Sequence, residues 1–194
     1  MEIYRTRNVI MKKFILITLF FVTILERTVF DLGPNIELIT MAMILVSYYF
    51  GKKETFWLIF AILAFTDIVI GNTSIFIFTW SGFLIPALLI NGVFKNKKLK
   101  NNKFLLGTAA GLGSNLFFYI WTNFGVWILD SWGMYPNNLS GLVMSYINGL
   151  PFLRMQVIST LLFVPSGFIV FEAVNAFYRK IQLNPLLLNG KEQA

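Results

Sequence analysis

Residues 114–156 read SNLFFYIWTNFGVWILDSWGMYPNNLSGLVMSYINGLPFLRMQ, and this stretch decides the fold. An apolar run, Leu116–Ile120, leads into Trp121, Thr122, Asn123, Trp127, Trp132 and Tyr135. A Tyr-Pro-Asn-Asn turn follows, then a short segment whose apolar residues fall at 139, 142, 143, 146, 147 and 150. Trp and Tyr collect where a helix leaves hydrocarbon for water, because an apolar ring carries an N–H or O–H that wants a wet partner. The stretch therefore reads as one mouth of a membrane-embedded helix bundle. The helical period of 139–150 covers too few residues to cross a bilayer, so a short interfacial helix is expected there, broken from the next span by Pro151.

Composition agrees. Of 194 residues, 57% are hydrophobic and 13% charged, against about 25% charged in an average soluble domain. There is no Cys and no His, which removes thiolate nucleophiles, disulfides, Cys/His metal sites and imidazole acid–base chemistry together. No cofactor is expected, and enzymatic activity is not.

Outward from the opening stretch, the apolar runs divide the chain into six expected spans. The first follows Arg5, Arg7, Lys12 and Lys13 and begins at Phe14; no small-x-small cleavage site follows it, so it reads as retained. Met11 is an alternative start. The second runs from Pro34, suited to a helix's first turn, to Phe50. The third runs from Glu54 to Ile70, the fourth from Phe76 to Phe94 with Pro86 as a kink, and the fifth from Phe104. The sixth covers Phe152 to Tyr178. In the fifth, Gly107 and Gly111 stand four apart, a spacing that lets helix backbones approach closely. The expected organisation is an N-terminal segment 1–13, a single six-helix transmembrane domain 14–180, and a tail 181–194.

The net charge of +7 sits in four blocks: four Lys/Arg in 1–13, two in 51–54, five in 95–103 and three in 179–194. With both termini cytoplasmic, all four blocks lie inside and only Arg27 and Arg154 lie outside. The basic balance is thus a topology signal for a prokaryotic cell membrane, and no nucleic-acid partner is expected.

The outward half collects the polar groups. Arg27 ends the first span, Asn35 and Glu37 start the second, and Asp67 lies near the outer end of the third. Asn72, Trp80 and Ser81 border the fourth. Asn115, Tyr119, Thr122 and Asn123 belong to the fifth, and Arg154 and Gln156 to the sixth. Charges inside a membrane cost about 2.5–3.5 kcal/mol each at mid-helix on insertion scales and usually face a partner or a cavity. Arg27, Glu37, Asp67, Trp80, Asn115, Tyr119, Asn123 and Arg154 are accordingly the candidate binding residues. Asp67 is expected beside Arg27 or Arg154. Glu37 also reads as a carboxylate at a helix start, and Asn115 as interhelical glue. Arg154, a cation near a helix N-terminus, needs an acidic partner or an anionic ligand.

The pattern of Arg27, GPNIELITMAMILVSYYFGKKETFW at 33–57, Asp67-x3-Gly71, TNFGVW at 122–127, Tyr135-Pro136, Gly141-Leu142 and Pro151-Phe152 resembles a family of uncharacterised bacterial and archaeal six-helix membrane proteins. That family is similar in fold to the substrate-binding S components of energy-coupling factor (ECF) vitamin transporters. The resemblance implies an all-α, S-component-like bundle with a pocket open to the outer face. It further implies a small vitamin-like or cofactor-precursor substrate, with a transmembrane coupling subunit and ATPases as partners. S components that dock on a shared coupling subunit tend to carry small residues on the first helix. Phe14–Leu25 contains no Ala or Gly, which keeps a solitary carrier, or one with another partner, open. A non-transporting membrane scaffold of the same general fold is the alternative function.

Overall fold

The computed structural model describes residues 2–30, 32–71, 74–95, 102–130 and 132–189, with side chains from Ile10 to Tyr178 and at Lys180. Among them the chain forms six α-helices and no strand: α1 Glu2–Leu25, α2 Ile39–Tyr49, α3 Lys52–Ile70, α4 Phe76–Lys95, α5 Lys103–Leu129 and α6 Leu139–Asn189. A π-helical turn, Glu26–Phe30, continues α1. Among the described residues, three stretches are long and apolar enough to cross a membrane: α4, α5 and Leu139–Tyr178 of α6.

Local signals set most of the ends. Gly51 precedes α3 at φ +101°, and Gly71 ends it at φ +78°, its N–H closing onto the Asp67 carbonyl at 2.9 Å. A left-handed residue stops an α-helix, and glycine takes that conformation without a Cβ clash. The Asn102 side chain caps α5 by accepting from the Leu105 N–H at 3.1 Å. The expected break after α3 is thus present at Gly71; Asn72 and Thr73 lie outside the described residues, as does most of the basic 95–103 segment.

The second expected span is corrected. Pro34 does not open a helix: Gly33 at φ +121° and Asn35 at φ +59° form a turn, closed by Ile36 N–H on the Gly33 carbonyl at 3.0 Å. Helix starts only at Ile39, leaving α2 with 11 residues, about 16 Å at 1.5 Å per residue. An apolar helix of that length belongs in a core rather than across a bilayer. Eight of its residues are buried, and it touches all five other helices. α2 is the centre of the bundle, packing Met43, Ile44 and Val46 against Ile59, Ile62, Leu63, Val164 and Phe168.

The end of the chain is corrected too. The 139–150 segment is helical, but it is no separate interfacial helix: α6 runs unbroken through Pro151 and Pro165. A proline inside a helix removes one hydrogen bond and bends the axis without having to end it. The facing of this segment also differs from expectation. Gly141, Ser145 and Gly149 turn inward, while Leu139, Val143, Ile147 and Leu150 are exposed. A Cβ at Gly149 would collide with Asn123, so only glycine admits α5 this closely. The helices likewise run through the expected boundaries, α1 starting before residue 13 and α6 ending after residue 180.

The Gly107 and Gly111 face packs as expected. A Cβ at Gly107 would run into the Phe168 ring, and one at Gly111 would lie 2.8 Å from Thr160 Cγ2. Small residues here bring α5 against α6.

Candidate functional site

The contacts define two ends. At one, Lys12 of α1 pairs with Glu54 of α3, and the Glu172 carboxylate of α6 accepts from both Tyr49 of α2 and Lys103 of α5. This end carries the basic blocks that are described. At the other end lie Arg27, Glu37 and the 132–138 connection, where Trp127 Nε1 donates to the Pro136 carbonyl at 3.2 Å. The candidate site opens there.

Its framework begins at the π-helical turn. Arg27 Nη1 meets Glu37 Oε2 at 2.6 Å, with 10% and 22% of the two side chains exposed. The neighbouring Glu26 is buried, and its Oε2 accepts from the Leu38 N–H at 3.0 Å. That carboxylate supplies the start of α2 with the anion the helix dipole favours, since Leu38 itself gives no side-chain cap. Ser159 of α6 binds the Glu37 backbone twice, accepting from its N–H at 3.1 Å and donating to its carbonyl at 2.9 Å. The 32–38 connection is thereby fixed between α1 and α6.

Between these elements lies a cavity of about 320 Å³. Arg27, Asn35 and Glu37 form one side; Ile75, Thr79 and Phe83 enter from α4 and the residues before it. Phe118, Tyr119, Thr122, Asn123 and Val126 line it from α5, and Phe152, Leu153 and Gln156 from α6. The volume suits a small molecule, on the order of ten waters at about 30 Å³ each. Phe83 and Phe118 meet at 4.4 Å between ring centroids and make an aromatic wall.

Most hydroxyls are already committed. Thr79 donates to the Ile75 carbonyl at 3.3 Å and Thr122 to the Phe118 carbonyl at 2.8 Å. Tyr119 donates to the Tyr146 carbonyl at 2.7 Å, and Tyr146 returns a bond to the Ile120 carbonyl at 3.3 Å. This exchange ties the first turns of α6 to α5. Asn123 donates one N–H to the Tyr119 carbonyl at 2.8 Å.

Of the residues expected from sequence, the cavity gathers Arg27, Glu37, Tyr119 and Asn123. It does not gather Asp67, Trp80, Asn115 or Arg154. The Asp67 carboxylate accepts from Trp80 Nε1 at 2.6 Å, a partner on α4. Arg27 pairs with Glu37. Asn115 is 2% exposed and serves as glue: its amide donates to the Gln156 carbonyl at 2.9 Å and to Thr160 at 2.7 Å, and accepts from Thr40 at 3.3 Å. Arg154 is exposed. The dipole argument for it falls because α6 begins at Leu139, four turns earlier. Glu26 was not singled out in the sequence, although a Glu-Arg doublet ending an apolar run marks it.

A bundle built around a short buried helix, with a polar cavity at one end and basic residues at the other, is the class that fold and site define. The chain belongs to a family of unknown function, DUF6580, whose model matches residues 7–183. No curated protein and no solved structure matches it.

Proposed function

We propose that the protein is a multi-pass membrane protein that binds a small molecule in the cavity at the outer end of the bundle, as a substrate-binding component for uptake. The observation that carries this reading is the cavity itself, lined by an ion pair, amide side chains and aromatic rings. A polar recess of this kind in an otherwise apolar bundle offers hydrogen-bond partners to a small molecule that displaces its water. The exposed faces of α1, α3 and α6 carry Phe21, Ile68, Val69, Leu162, Ile169 and Val170, among many apolar side chains that suit lipid. Six segments run between the two ends. The second does so as the 32–38 connection plus α2, and non-helical backbone at membrane depth is tolerated when protein covers it. The parity keeps both termini on the basic, cytoplasmic side. At 51 residues, about 76 Å, α6 exceeds the ~30 Å hydrocarbon core, so its first turns rise beyond the membrane beside the cavity mouth. The substrate is vitamin-like in size. The chain has no phosphate-binding GxxxxGK[ST], so any ATP-driven step of uptake would need a separate subunit.

A second reading, a scaffold without a substrate, draws support from an apolar groove of about 340 Å³ between α1 and α6, floored by Leu38, Met41 and Leu45. Ligand retention separates the two. Protein purified from its native membrane is denatured and the released small molecules are identified by mass spectrometry. One stoichiometric species is expected from the wild type and none from Val126→Phe, which fills the cavity. Equal recovery from both, or no species from the wild type, would refute the binding reading.

A further inference from the structure

Three amide side chains in the cavity lining have hydrogen-bonding capacity to spare. Gln156 is 7% exposed and lines the cavity. Its backbone carbonyl is taken by Asn115, but its side-chain amide has no hydrogen-bond partner among the described residues. The Asn35 amide is likewise unpartnered, and Asn123 has spent one N–H and no more. Gln156 is the buried one of the three, and Asn35 and Asn123 are half-buried. Charge, by contrast, is balanced: the ionised groups lining the cavity are Arg27 and Glu37, and they face each other at 2.6 Å.

We infer that the ligand is an uncharged, flat molecule with a carboxamide- or lactam-like edge, which Gln156 reads through a pair of parallel hydrogen bonds. This rests on the binding reading above and specifies its substrate class. A primary amide presents one acceptor and one donor side by side. The complementary edge is another amide, a lactam or an imide. A carboxylate places oxygen against the Gln156 oxygen and makes one bond in place of two. An ammonium group has donors only and leaves the Gln156 N–H unused. A charged ligand would also enter a pocket whose one ion pair already neutralises itself, without a counter-charge to offset its desolvation. The rings of Phe83, Phe118, Phe152 and Tyr119 suit a planar body. Glu26, buried just outside the lining, adds a negative charge to the region, so a cationic ligand is the competitor to exclude.

The test uses three matched probes, benzamide, benzoate and benzylammonium, titrated into the full-length detergent-purified protein with melting temperature as readout. Benzamide is expected to raise the melting temperature with an apparent Kd at least tenfold lower than either charged probe. Gln156→Leu should weaken benzamide at least tenfold. Because the replaced amide has no partner, the unliganded variant should melt at or above the wild-type temperature, where a structural role would lower it. Gln156→Glu should shift preference to benzylammonium. Stronger stabilisation by benzoate or benzylammonium, no stabilisation by benzamide, or undiminished benzamide binding in Gln156→Leu each overturns the inference. A charged species identified among the molecules released from the wild type would overturn it while leaving the binding reading standing.

Discussion

The Arg27–Glu37 pair ties the turn after α1 to the connection before α2 at the edge of the cavity, and a double-mutant cycle measures what it contributes. Unit charges about 4 Å apart attract by roughly 4 kcal/mol at an effective dielectric of 20, and moving each charge out of water costs several kcal/mol. The intact pair is therefore close to neutral in stability, and the large effect is expected from breaking it. Removing one member of a fully buried pair costs about 3–5 kcal/mol. Glu37 keeps 22% of its side chain exposed and borders the cavity, so water solvates the orphaned carboxylate in part and about 2–4 kcal/mol is expected for Arg27→Met. At 2–4 °C per kcal/mol for a chain of this size, that is roughly 5–15 °C in melting temperature. Glu37→Met should cost at least as much, because it strands a guanidinium whose Nε is already buried without a partner. The double variant should recover most of the loss. Melting curves of the four proteins in one detergent give the coupling energy. Additivity within about 0.5 kcal/mol would refute the pairing as a coupled buried unit.

Two further outcomes follow from the geometry. Asn115→Ala should lower stability by about 3 kcal/mol, because three buried groups on two other helices lose a partner. Arg154→Ala, exposed on α6, should stay within about 0.5 kcal/mol of the wild type; similar melting temperatures for the two variants would contradict the roles assigned to them. For topology, cysteines at the exposed positions Lys53 and Asn137 should react differently with a membrane-impermeant maleimide on intact cells: Asn137→Cys labels directly, Lys53→Cys only after permeabilisation. Labelling of both from outside would overturn the orientation.

The expectations that succeeded rest on local chemistry. Gly71 ends α3, and Gly107 and Gly111 pack, because each outcome depends on what a Cβ would do at that position. Two of the corrections concern prolines, whose effect depends on what surrounds them. Pro34 fits a helix start, yet Gly33 and Asn35 on either side have positive φ, and no helix can form through them. Pro151 fits a helix break, yet α6 passes through it while the Tyr119–Tyr146 exchange and the close approach at Gly149 hold the preceding turns on α5. The span-like appearance of 34–50 came from apolar composition alone, which a buried core helix shares with a membrane span.

The candidate site divides along the same line. Arg27, Glu37, Tyr119 and Asn123 could be placed because depth along a helix is readable from where apolar runs end. Which way a side chain points around the helix is not readable when nearly every face is apolar. Asp67 and Trp80 are at the right depth and face each other instead of the cavity. Asn115 and Gln156 show the limit most sharply. Each is a buried amide at a comparable level, one on α5 and the other on α6, and in sequence either reads as interhelical glue. In the structure Asn115 takes the Gln156 backbone carbonyl together with Thr160 and Thr40, and is fully used. That bond uses the backbone carbonyl of Gln156, whose side chain lines the cavity. One amide fixes the helices while the other has no side-chain partner among the described residues. Where each side chain points between the packed helices decides which is which, and no spacing in the sequence encodes that.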